Sequence, residues 1–307
     1  MPGESVKIVA VIGLGSMGYG MAASLAKAGF EVRGADSRPE IVARFGREHG
    51  IGAASIAEAA RDADAVVSVV VNADQTEAVL GGEGGALAAC APDAVILSCA
   101  TMAPDRARRL AAMVDDAGRL YVDAPMSGGS VKALEGALTV LASGKPAAMA
   151  RAAPVLDAIA AKAYALGDEP GLAAAFKMIN QLLAGVHIAA ACEAIVLARK
   201  LGLDLGKVYE VITAAAGNSW MFENRVPHVL DGDYAPKSAV DIFTKDLGIV
   251  ADMSRAEAFP TPMAGAALQL FLMTAAAGMG KDDDASVARL YAEIARIDLP
   301  GSGARGR

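Results

Sequence analysis

The hexapeptide Gly13-Leu14-Gly15-Ser16-Met17-Gly18 constrains the folding of this 307-residue chain more than any other feature. It follows the apolar run KIVAVIG (Lys7 to Gly13) without a gap and leads into a helical pattern from Met17 to Ala28. Glycines at that spacing, between a strand and a helix, each answer a steric demand. Gly13 permits the tight turn, Gly15 lets backbone N–H groups approach a bound anion, and Gly18 allows close strand–helix packing. The helix N-terminus adds partial positive charge, which suits a pyrophosphate. A plain structural turn is the bland alternative, and the loop's place at the head of a βαβ pattern favours a dinucleotide.

That pattern continues through the first half of the chain. EVRGAD (31–36), AVVSVVV (65–71), AVILSC (94–99), LYVDAP (120–125) and ALTVLAS (137–143) alternate with Ala-rich helical segments, and a weaker AKAYALG (161–167) follows. Such runs, apolar on both faces, read as a parallel sheet with helices on each side. After Gly167 the strand signal stops. Residues 171–200 hold no proline and are apolar on nearly every side, predicting a helix about 45 Å long at 1.5 Å per residue, covered by protein all round. Further helices are expected at 204–216, 240–258, 262–277 and 285–297, with turns at Gly217-Asn218, Gly232-Asp233 and Phe259-Pro260. The expected architecture is therefore α/β: an N-terminal Rossmann-type doubly wound sheet (1–168), then an all-α domain (169–300) joined by a long helix, then a loose tail (301–307).

Composition removes several function classes. Lys and Arg total 28 against 35 Asp and Glu, a net charge of −7 with no basic stripe, so nucleic acid is not an expected partner. Three cysteines (Cys90, Cys99, Cys192) without CxxC spacing, and three scattered histidines (His49, His187, His228), offer neither a disulfide framework nor a metal site. The start MPGESVKIVAVIG lacks the regions of a secretory signal, so a cytoplasmic location is expected. No membrane association is expected either: the segment 182–198 is short for a span and carries His187 and Glu193.

Several residues stand out as candidate site groups. Asp36, closing the second strand about 20 residues past the loop, can accept hydrogen bonds from ribose hydroxyls and repel a 2′-phosphate, which favours NAD over NADP. Arg38 is the opposing signal, since it could pair with that phosphate. Ser127, Gly128 and Gly129 follow the end of a strand and could turn consecutive N–H groups toward a carboxylate, although a simple turn fits the same spacing. Lys177 and Asn180 are three apart, hence on one face of an apolar helix, and burial without a partner would be costly. A snorkelling lysine is the bland reading. The functional one is a general acid/base, which must be neutral for part of the cycle; burial would lower its pKa from about 10.4. His187 reads as a core residue, and Glu193 as an ion-pair partner.

Four motifs in order, GLGSMG (13–18), DAPMSGG (123–129), GLAAAFKMIN (171–180) and FTKDLGIV (243–250), resemble the β-hydroxyacid dehydrogenases, the group containing 3-hydroxyisobutyrate dehydrogenase and tartronate semialdehyde reductase. The resemblance covers essentially the whole chain. It implies that Lys177 is the catalytic lysine, that Ser127, Gly128, Gly129 and Asn180 hold the substrate, and that Thr101 and Lys245 lie against NAD. Two departures bear on substrate fit: Gln181 stands where many members have a second Asn, and Met126 where Val is common. The blocks 177–194 and 217–234 further resemble the L-threonate dehydrogenase subgroup, which implies oxidation of a four-carbon sugar acid at C2. In the second block Ser219, Trp220 and Asn224 fit either a substrate wall or helix packing.

Alternatives within the family are a tartronate or succinic semialdehyde reductase using NADPH and a 3-hydroxyisobutyrate dehydrogenase. An imine reductase on the same scaffold is a further alternative, although there the lysine is usually replaced; from a different class comes a non-catalytic dinucleotide sensor, which has no need of Lys177 beside Asn180. The long apolar helices suggest a homo-oligomer, dimer or tetramer.

Overall fold

The computed structural model describes residues 6–301. Six parallel strands, β1 (Ile8–Ile12), β2 (Glu31–Ala35), β3 (Ile51–Gly52), β4 (Ala65–Ser68), β5 (Val95–Ser98) and β6 (Leu120–Asp123), form one sheet in the order β3-β2-β1-β4-β5-β6. The crossover helices are α1 (Gly18–Lys27), α2 (Pro39–Glu48), α3 (Ile56–Ala60), α4 (Ala73–Gly81), α5 (Ala86–Ala89) and α6 (Pro104–Asp116). The strand order reverses between β1 and β4, the point at which open sheets of this kind take ligands.

Alternate residues of each strand feed two cores. Val9, Val11, Val67, Leu97 and Val122 pack on one face of the sheet, and Ala10, Ile12, Val66, Ile96 and Tyr121 on the other, all at most 3% exposed. Burial on both sides explains why these strands read as continuous Val/Ile runs. Helix starts carry their own signals: Pro39 and Pro104 occupy first-turn positions, and Asn72 caps α4 by accepting from the Gln75 N–H.

The runs ALTVLAS and AKAYALG are strands, as the pattern predicts, but of a second sheet. β7 (Met126–Ser127), β8 (Leu138–Ala142) and β9 (Ala160–Ala165) form it, with β8 antiparallel to β7 and parallel to β9. Between them lie α7 (Gly129–Leu134) and α8 (Pro146–Ile159). A two-way backbone bridge joins Asp123 to Ser143 and so ties the end of β6 to the end of β8.

By packing, the chain divides into two compact units, one ending at Lys177 and one beginning at Met178. The first unit runs past Gly167, where strands stop, because the start of α9 (Leu172–Lys200) is hydrogen-bonded to it and Ala174 joins its core. The second unit is helical after α9: α10 (Leu205–Thr213), α11 (Trp220–Asp231), α12 (Val240–Ala256), α13 (Pro262–Thr274) and α14 (Val287–Ala295). A kinked turn with Gly278 at φ +86° follows α13, and a 3₁₀ turn, Asp284–Ser286, precedes α14. Its core includes Ile188, Ile195, Val226, Phe243 and Phe271, with the two phenylalanine rings stacked 5.1 Å apart.

Two expectations are corrected here. α9 is not covered all round: Phe176, Ile179 and Leu183 are 55%, 61% and 49% exposed, a stripe at helical spacing that apolar composition alone cannot separate from core. Glu193 accepts a hydrogen bond from the Tyr291 hydroxyl at 2.6 Å and forms no ion pair among the described residues. α9 and the segment 262–279 are long and apolar enough to cross a membrane by length and composition, but 56% of the most apolar window of α9 is buried within the protein, as in a core helix. Of the tail expected at 301–307, all but Gly301 lies outside the described residues.

Candidate active site

The loop after β1 has the geometry its glycines imply. Gly13 has φ +97°, and a Cβ there would lie 2.3 Å from the Val69 carbonyl oxygen. At Gly18 a Cβ would lie 1.8 Å from the carbonyl oxygen of Gly13, so the turn closes on itself with no room for a side chain. At Gly15 the space is open: a Cβ there would meet only the Arg38 guanidinium, at 4.0 Å. α1 begins at Gly18 with no side-chain cap and no acidic residue in its first turn, leaving its dipole available to an anion between Leu14 and Met17.

Asp36 lies just past β2, its side chain 7% exposed. Its carboxylate accepts the Leu14 N–H at 2.7 Å, the Arg38 N–H at 3.0 Å and a fork from the Arg38 guanidinium at 2.9 and 3.1 Å. The Arg38 side chain, with the two backbone N–H groups, holds this carboxyl below the usual range despite its burial. An open glycine face, an uncapped helix start and an ionised carboxylate at the end of the neighbouring strand together fit a dinucleotide. Thr101, half-buried, lies in the loop after β5, at the same edge of the sheet.

Ser127, Gly128 and Gly129 form the step from β7 into α7. Gly128 (φ +138°) and Gly129 (φ +80°) take backbone conformations that favour glycine, and Ser127 is exposed.

Lys177 is 6% exposed on α9. The helix that carries it is anchored one turn earlier by side chains at two strand ends. Asp123 accepts the N–H groups of Gly171 at 3.2 Å and Ala174 at 2.8 Å, and Ser143 Oγ accepts that of Ala173 at 3.0 Å. These are the donors a helix start leaves unpaired. Burial pushes the Asp123 carboxyl up to about 6, although both N–H groups favour its ionised form. Asp123 opens the motif DAPMSGG, but neither the motif nor the resemblance gives it a role. Its signal is an acidic residue at the end of a fully buried strand.

Asn180 is exposed, one turn beyond Lys177, while Gln181 is buried. Asn180 Nδ2 donates to Gln181 Oε1 at 2.9 Å, and Gln181 Nε2 donates to Asp246 Oδ2 at 2.5 Å. Lys245, placed beside the cofactor by resemblance, pairs with the other Asp246 oxygen at 2.6 Å. Gln181 and Asp246 are 65 residues apart, and no local pattern connects them.

Trp220 opens α11 and is 57% exposed, with Ser219 capping that helix through the Phe222 N–H. Pro227 cannot donate to the Glu223 carbonyl, which instead accepts from the Tyr209 hydroxyl at 3.0 Å. Asn224 accepts from the Arg225 guanidinium, which also forks onto buried Asp284 at 2.6 and 3.1 Å. His228 pairs with Asp283 at 2.8 Å. Burial pushes Asp284 up to about 6 against the Arg225 charge, whereas at Asp283 the bonds from His228 and two backbone N–H groups outweigh burial and hold it low. No group of His, Cys, Asp and Glu among the described residues is arranged to hold a metal ion. The Cys99 thiol, fully buried, is pushed up to about 12 and is inert packing.

A sheet of this order, with a glycine loop after its first strand and a carboxylate closing its second, defines a dinucleotide-binding protein. Comparison with known proteins narrows the class. Residues 8–167 match the NAD-binding domain of 6-phosphogluconate dehydrogenase, and residues 171–291 match the NAD-binding domain of NADP-dependent 3-hydroxyisobutyrate dehydrogenase. L-threonate dehydrogenase of Cupriavidus necator is 50% identical over 95% of this chain and 98% of its own length; that of Escherichia coli K12 is 46% identical over 96% and 97%. A crystal structure of 3-hydroxyisobutyrate dehydrogenase from Salmonella typhimurium, 48% identical, superimposes with a TM-score of 0.88 over 92% of this chain and 99% of that one. The chain belongs to the β-hydroxyacid dehydrogenase family, and is a nicotinamide-dinucleotide-dependent dehydrogenase acting on the CH–OH group of a small hydroxy acid.

Proposed function

We propose that this enzyme oxidises L-threonate at C2 to 2-oxo-tetronate with NAD, in the cytoplasm and as a homo-oligomer. The observation that carries the catalytic part is Lys177, a lysine only 6% exposed on a largely apolar stretch of α9. The substrate follows the relatives named L-threonate dehydrogenase at 46–50% identity. The exposed stripe on α9 supports self-association.

Gly13 to Gly18, with Asp36 and Thr101, would hold the dinucleotide, and Lys245 joins them by the family resemblance alone. When bound, the dinucleotide would supply the hydride acceptor for the carbinol carbon. The chain's own residues manage the rest. Backbone N–H groups of Ser127 to Gly129 fix the substrate carboxylate, Asn180 holds a hydroxyl, and Lys177, as the neutral amine, takes the proton from the reacting oxygen. Asp123 and Ser143 hold the first turn of α9 and so set where Lys177 stands.

Arg38 supports a second reading. Its guanidinium lies beside Gly15 and could turn from Asp36 to a 2′-phosphate, as a semialdehyde reductase using NADPH would need. The test is initial rates of NADH and NADPH formation with L-threonate, D-threonate, D-glycerate and 3-hydroxyisobutyrate. L-Threonate with NAD should give the highest kcat/KM. A higher value for another acid, or for NADP, would overturn the assignment.

A further inference from the structure

We infer that Gln181 and Asp246 form a hydrogen-bond relay that fixes the amide of Asn180 with its oxygen outward, making Asn180 an acceptor for a substrate hydroxyl next to the reacting carbon. The inference rests on the reading of Lys177 and Asn180 as substrate-facing groups and adds a specificity determinant to it. Gln181 and Asp246 are positioning residues.

The chemistry runs in one direction. An ionised carboxylate only accepts hydrogen bonds, whereas an amide can present either end. Asp246 is 1% exposed, and its Oδ2 lies 2.5 Å from Gln181 Nε2, so the nitrogen of Gln181 must face it. Reversal would set two acceptor oxygens against each other at that distance. With its nitrogen committed, Gln181 offers only Oε1 to its neighbour, and Asn180 answers with Nδ2 at 2.9 Å. The Asn180 oxygen is left as the outward group on an exposed side chain.

The surrounding packing keeps the relay in place. Lys245 balances the Asp246 charge at 2.6 Å. One turn beyond Gln181, Gly185 lets α9 approach α12 so closely that a Cβ there would lie 2.9 Å from the Leu247 side chain. Gln181 itself is 7% exposed, so it works through Asn180 rather than on the substrate. Lys177 is one turn back on the same helix face. A substrate whose reacting hydroxyl meets Lys177 can therefore present a neighbouring hydroxyl to the Asn180 oxygen, and an acid lacking it leaves that acceptor unpaired. The ligand class is a vicinal dihydroxy acid.

The experiment compares kcat and KM for L-threonate and for its 3-deoxy analogue, 2,4-dihydroxybutanoate, in wild type, Gln181→Met, Asp246→Asn and the double variant combining Gln181→Glu with Asp246→Asn. Wild type should prefer L-threonate. Gln181→Met should lower kcat/KM for L-threonate by about 10- to 100-fold, mainly through KM, the size expected for one misdirected hydrogen bond. The deoxy acid should change less than about threefold, since it never used that bond. In the double variant the carboxylate introduced on α9 can accept both from the amide introduced on α12 and from Asn180. That restores the polarity, so the preference for L-threonate should return above that of Asp246→Asn alone. Equal losses on both acids in Gln181→Met, or no recovery in the double variant, would overturn the relay while leaving the dehydrogenase reading intact. A wild type that oxidises neither acid would refute that reading and the relay with it.

Discussion

Asp123 makes stability depend on pH in a direction opposite to that of most carboxylates. Its carboxyl is pushed up to about 6 by burial, against an ordinary 3.8, so between those values the folded chain binds a proton that the unfolded chain releases. The stabilisation is full below the unfolded value and is lost as pH rises through 6. At 1.36 kcal/mol per pH unit, Asp123 should make the fold about 1.4 kcal/mol more stable at pH 5 than at pH 8. Asp123→Asn removes the titration and keeps an oxygen in the place of Oδ2, the one oxygen that accepts both N–H groups from α9. Urea unfolding followed by far-UV circular dichroism at pH 5 and pH 8 isolates the effect, because other titrating groups contribute equally to both proteins. The gain on going to pH 5 should be about 1.4 kcal/mol smaller in Asp123→Asn. An identical pH response in the two proteins, or a larger gain in the variant, would refute the assignment of a raised carboxyl at Asp123.

Other expectations test separate parts of the structure. Asp36→Ala should weaken NAD binding, measured by calorimetry, and narrow its advantage over NADP; an unchanged ratio would remove Asp36 from the ribose site. Gly18→Ala puts a methyl group 1.8 Å from a carbonyl oxygen and should cost about 3 kcal/mol or more with loss of dinucleotide binding, so a variant that binds NAD normally would contradict the loop geometry. Arg225→Ala strips the partner from Asp284, which is 0% exposed, and should destabilise the helical unit by about 3–5 kcal/mol. Trp220, the only tryptophan, reports that unfolding by fluorescence, and an unshifted midpoint would show the pair to be dispensable.

The architecture is legible in the sequence where burial is simple. Strands β1, β4 and β5 are covered on both faces, so each is an unbroken apolar run. β3 and β7 are two residues long and carry no pattern. ALTVLAS reads as a strand, but its antiparallel partner Met126–Ser127 does not, so periodicity alone hides the separate sheet. α11 escapes the pattern as an element because Pro227, Asn224 and Arg225 interrupt its apolar face, although its bounding turns are visible. At the site, Lys177 and Asn180 stand out as polar residues on an apolar helix. Asp123 and Ser143, which bond the start of their helix, and Asp246, which bonds Gln181 beside Asn180, meet it through tertiary contacts that join distant parts of the chain. The exposed Phe176 and Ile179 show the converse limit, since composition cannot tell an uncovered apolar face from a buried one.

The central claim is that Lys177 carries the proton in oxidation of a hydroxy acid. Single-turnover NADH formation from L-threonate at saturating NAD, in wild type and Lys177→Ala of verified fold, tests it directly. Loss of a general base should slow the chemical step by about 10²- to 10⁴-fold while NAD binding is retained. Hydride transfer in Lys177→Ala at the wild-type rate would contradict it.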